Sequence, residues 1–227
     1  AIACDDTDPM VVVKCNAEGT ADAPIATCDA GSKCGGSGAC VPDAAFALTD
    51  ATDVVTGLEV TSIGNGFAAA WIAEIAGSPS LFVRVFDAEG TPVGPATVAH
   101  GSLKPVKGSR IGIAAAGSGF AVTWVATSTG KDIALGVYSA TGAVVTAPAV
   151  VNSNLNQGDQ DLPALASNAN HLIIVWSGDE TDFVDSGVCA QRLTLTGSPA
   201  GEVIIANDDF ANSDPTTSDN PENAVVA

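Results

Sequence analysis

Three tryptophans, Trp71, Trp124 and Trp176, stand 53 and 52 residues apart, each closing a short apolar run. The runs are Gly66-Phe67-Ala68-Ala69-Ala70-Trp71, Gly119-Phe120-Ala121-Val122-Thr123-Trp124 and His171-Leu172-Ile173-Ile174-Val175-Trp176. A second landmark follows each: Phe86-Asp87-Ala88-Glu89-Gly90, Tyr138-Ser139-Ala140-Thr141-Gly142 and Leu193-Thr194-Leu195-Thr196-Gly197. Self-similarity at a period near 50 residues marks a repeat architecture, in which each unit buries its apolar faces by stacking on its neighbours.

Within a unit the apolar pattern has period two. Phe120, Val122 and Trp124 alternate with Ala121, Thr123 and Val125, and Ile133, Leu135 and Val137 alternate with Ala134, Gly136 and Tyr138. Such alternation between Gly, Asn, Asp and Ser clusters specifies antiparallel strands. The middle unit predicts strands over about 111–115, 120–126, 133–139 and 144–150, joined by turns that suit hairpins needing positive φ. Four strands in about 50 residues make one β-propeller blade. The expected fold is all-β, a β-propeller-like array of four-stranded antiparallel sheets. Its units span about 54–101, 108–153 and 161–207, with Trp71, Trp124 and Trp176 packed between sheets rather than stacking on a ligand.

The strings Val151-Asn152-Ser153, Gln157-Gly158-Asp159-Gln160, Leu162-Pro163-Ala164-Leu165-Ala166, Ile174-Val175-Trp176 and Ala190-Gln191-Arg192-Leu193 resemble a repeat of secreted bacterial proteins. The family's motif runs Val-Asn-Thr, Gln-x-x-Pro, Gly-Phe-x-x-x-Trp, Ala-Gln-Arg-Phe-Asp-x-x-Gly. The third unit matches best. The first has Arg84-Val85 in place of Gln-Arg, and the second lacks that pair. The resemblance covers about residues 54–207. It implies an extracellular repeat protein, often part of large surface or calcium-associated proteins, and no particular enzymatic activity.

Three units leave a propeller unclosed, since such folds have about four to eight blades. Phe46-Ala47-Leu48-Thr49-Asp50 resembles the last strand of a unit, and the stretch from Asn220 through Pro221, Ala224, Val225 and Val226 to Ala227 resembles a first strand. A fourth sheet split between the termini follows. Either the two ends meet within one chain, or the C-terminal strand at 220–227 completes a sheet in the next copy. The second arrangement is head-to-tail and builds a filament unless it closes.

Five of six cysteines, Cys4, Cys15, Cys28, Cys34 and Cys40, crowd the first forty residues, and Cys189 lies far downstream. No Cys-x-x-Cys pair occurs and the two histidines are distant, so three disulfides in an oxidising, extracytoplasmic compartment fit better than zinc. Residues 1–43 read as a disulfide-stapled segment, 44–227 as the repeat domain, and Cys189 as an anchor between them. The opening Ala1-Ile2-Ala3-Cys4, without a charged or apolar leader, reads as a processed N-terminus, and it also resembles a lipobox.

Charge narrows the partners. With 26 acidic and 8 basic residues the net charge is −18, which repels phosphate backbones and argues against nucleic acid. No apolar run approaches the roughly 20 residues that span a bilayer. No zinc-protease, phosphate-loop or nucleophile-elbow motif occurs, and no catalytic residue is assigned. A glycosidase, needing only two carboxylates, is the residual enzyme option. The acids Asp179, Asp182 and Asp185 fall in an expected loop, where they either hold calcium or carry solvated charge. The expected function is an extracellular structural subunit that assembles with copies of itself. The alternative is a monomeric adhesin or lectin-like propeller, calcium-dependent in one version, that binds a cell-surface glycan.

Overall fold

A computed structural model describes residues 54–128, 130–152, 158–178 and 187–206, together with the backbone of five short strands in the first 42 residues. The chain divides into two compact units: Ala1–Ala51 with Phe86–Pro92, and Thr52–Val85 with Val93–Ala227. The smaller contains a three-stranded antiparallel sheet of β1 (Ile2–Cys4), β2 (Val11–Cys15) and β3 (Ala21–Thr27), and a hairpin of β4 (Ser32–Cys34) and β5 (Cys40–Pro42). In that hairpin Cys34 and Cys40 are register partners.

The larger unit contains three four-stranded antiparallel sheets, each with its strands in chain order. The first has β6 (Val54–Ile63), β7 (Gly66–Ile75), β8 (Ser78–Phe86) and β9 (Thr97–Val98). The second has β10 (Ile111–Ala116), β11 (Gly119–Thr127), β12 (Lys131–Tyr138) and β13 (Val144–Val150). The third has β14 (Gln160–Ser167), β15 (His171–Gly178), β16 (Gly187–Thr194) and β17 (Ile204–Ile205). The predicted strands of the middle unit fall within a residue or two of these bounds. The outer strands differ. Only the second sheet keeps a long fourth strand, whereas β9 and β17 have two residues each. Before β9, Pro92 and Pro95 lack the N–H a ladder needs, and Pro199 precedes β17.

The Gly landmark has a local cause. Gly90, Gly142 and Gly197 have φ of 82°, 81° and 83°, a left-handed conformation that a Cβ disfavours. Each donates its N–H to the carbonyl three residues earlier, and that residue's side-chain oxygen also accepts from the turn. Asp87 Oδ1 accepts from Thr91 N at 2.7 Å, Ser139 Oγ from Ala143 N at 3.2 Å, and Thr194 Oγ1 from Ser198 N at 3.1 Å.

The middle sheet is apolar on both faces because it is covered on both. Phe120, Val122, Trp124, Ala134 and Tyr138 pack against Ala68, Ala70, Ile72, Leu81 and Val83 of the first sheet. Ala121, Val125, Ile133, Leu135 and Val137 pack against Leu165, Leu172, Ile174, Trp176 and Leu193 of the third. Close approach at the second interface depends on Gly112, whose missing Cβ would stand 2.9 Å from Leu165 N and 3.0 Å from Thr123 Cγ2.

Candidate assembly face and cavity

Antiparallel register assigns each residue to a face, and equivalent positions can then be compared around the tryptophans. In the second and third units the tryptophan lies on the face directed toward the preceding sheet. Four residues before it stand Phe67, Phe120 and Leu172, exposed by 44, 0 and 0%. On the neighbouring first strands, Val60, Ile113 and Leu165 pair with Ala69, Val122 and Ile174, and are exposed by 62, 9 and 8%. Opposite the tryptophans themselves, Leu58 is 54% exposed where Ile111 is 5% exposed. The first sheet therefore leaves Leu58, Val60 and Phe67 exposed where its successors bury the equivalent residues, although Ala69, Trp71 and Ala73 on the same face are themselves buried. The third sheet presents the complementary side: Ile173 is 38% exposed where its equivalent Ala121 is fully buried.

The three tryptophans, 2, 0 and 0% exposed, differ in their indole N–H groups. Trp124 Nε1 donates to the Leu103 carbonyl at 2.9 Å, and Trp176 Nε1 donates to Gln160 Oε1 at 3.0 Å. Both acceptors lie at or before the first strand of the same sheet. Trp71 stacks on Phe82 with centroids 5.7 Å apart, and its Nε1 is buried without a hydrogen-bond partner.

The motif residues act on backbone. Asn152 of the Val-Asn string is fully buried; its Oδ1 accepts from Ile133 N at 2.8 Å and its Nδ2 donates to Asp132 Oδ1 at 3.0 Å, while Ser128 Oγ donates to Asp132 Oδ2. Gln191 Nε2 donates to the Gly201 carbonyl at 2.8 Å, and Arg192 Nε to the Ala200 carbonyl at 2.9 Å. In the first unit Arg84 Nε reaches the Gly94 carbonyl at 3.0 Å, the same ten-residue span as Gln191. In the second unit Gly136 stands at that position, with the Tyr138 hydroxyl over it donating to the Ala99 carbonyl at 2.5 Å. Burial pushes the Tyr138 hydroxyl's pKa well up, so it keeps its proton.

A half-open cavity of about 620 Å³ lies where β6, β10 and β14 converge, with Glu59, Ser109, Arg110, Ile113 and Leu165 among its lining. Glu59 is the one carboxylate among its described lining residues. The acids Asp159 and Asp161 are engaged elsewhere. Lys131 Nζ lies 3.0 Å from Asp161 Oδ2 and 3.6 Å from Asp159 Oδ2, and Lys131 N donates to Asp159 Oδ1 at 3.1 Å. The hydrogen bond to Asp161 is the main reason the lysine's pKa is raised. No group of three or more potential metal ligands occurs among the described residues.

Several positions singled out in the sequence fall outside the described residues. These are the candidate calcium acids Asp179, Asp182 and Asp185, residues 46–50, and the expected assembly strand with Pro221, Ala224, Val225 and Val226. Cys28 and the side chains of Cys4, Cys15, Cys34 and Cys40 are outside them too. Cys189 is fully buried in the core between the second and third sheets, opposite Trp176. No helix among the described residues is long and apolar enough to cross a membrane.

No family model matches the chain, and no curated protein matches it. Among solved structures, it is similar to the Bacteroides ovatus protein described as xyloglucan PUL GH43B, at 16% identity and a TM-score of 0.37 over 67% of this chain. It is also similar to the alpha-L-arabinofuranosidase PaAbf62A of Podospora anserina, solved with cellotriose, at 9% identity and a TM-score of 0.39 over 69% of this chain. The chain matches only 29% and 53% of the length of those two proteins.

Proposed function

We propose that the chain is an extracellular structural protein of propeller-like build, the subunit of a bacterial surface filament or layer. In this proposal it assembles head to tail by exchanging terminal strands, with residues 220–227 as the donor and residues 1–43 fixed by disulfides. The observation that supports it is a set of exposed apolar residues on the first sheet: Phe67 and Val60 are exposed although their equivalents Phe120 and Ile113 are buried. Exposed apolar side chains grouped on one sheet face are a candidate interaction surface. Deleting residues 219–227 should abolish polymers seen by negative-stain imaging while leaving a folded monomer; a truncated chain that still polymerises refutes strand exchange.

A second reading, a monomeric adhesin or lectin-like module, is favoured by the cavity between β6, β10 and β14, whose size suits a small ligand. Retention on a glycan array by a chain that never polymerises would select it.

A further inference from the structure

We draw no further inference here: the strongest candidate, the half-open cavity where β6, β10 and β14 converge, belongs to the site already described, and its described lining residues select no narrower class of ligand.

Discussion

Replacing Asn152 with alanine tests whether the Val-Asn string is scaffold. The side chain is fully buried and bridges two groups that have no water to turn to: the Ile133 N–H at 2.8 Å and Asp132 Oδ1 at 3.0 Å. Leaving the backbone donor unsatisfied costs about 1–3 kcal/mol, and loss of a hydrogen bond to a buried carboxylate adds about 1 kcal/mol or more. The expected destabilisation is about 2–4 kcal/mol, or roughly 5–15 °C in melting temperature for a chain of this size. Urea unfolding followed by tryptophan emission measures it. Asn152→Asp separates the two bonds, because it keeps the acceptor for Ile133 N but sets a carboxylate against Asp132. That variant should be less stable than wild type at pH 7, because it sets two buried carboxylates against each other. Stability of Asn152→Ala within about 0.5 kcal/mol of wild type, or an Asn152→Asp chain as stable as wild type at neutral pH, would refute the bridging role.

Two further predictions concern a sheet interface and a buried histidine. Gly112→Val forces a side chain against Leu165 N and Thr123 and should lose about 1–3 kcal/mol or more by overpacking. Gly94→Ala, in open space with ordinary φ, is the control for thermal melting. His100 is buried with its pKa lowered, first by desolvation and then by nearby Lys104, against a hydrogen bond involving Gly101 that raises it. It favours the fold while neutral: its contribution is full above the unfolded value of 6.5 and is lost as pH falls through the lower folded value. The stability of wild type relative to His100→Gln should therefore fall between pH 7 and pH 5; a constant difference would remove His100 from the pH response.

The strands, their hairpins and the repeat were legible in the sequence because their causes are local. Period-two alternation depends on neighbours one and two residues away, and the Asp87, Ser139 and Thr194 turns close within four. Even the substitution of Arg84 for the motif's glutamine could be read, although its target, the Gly94 carbonyl, could not. The acceptor for Trp124 left no trace in residue type, because a backbone carbonyl carries no side-chain signature. The pairing of Lys131 with Asp161, thirty residues apart, appears only when the second and third sheets stack.

One pair of equivalent residues shows the division most sharply. Phe67 and Phe120 occupy the same place in nearly the same run, after a glycine and four residues before a tryptophan. By itself the sequence determined that each lies in an antiparallel strand on the tryptophan's side of the sheet. Whether that side meets another sheet or solvent depends on what stacks next to it, and residues distant in the chain supply that neighbour. Only the tertiary structure decided that Phe120 is core and Phe67 is surface.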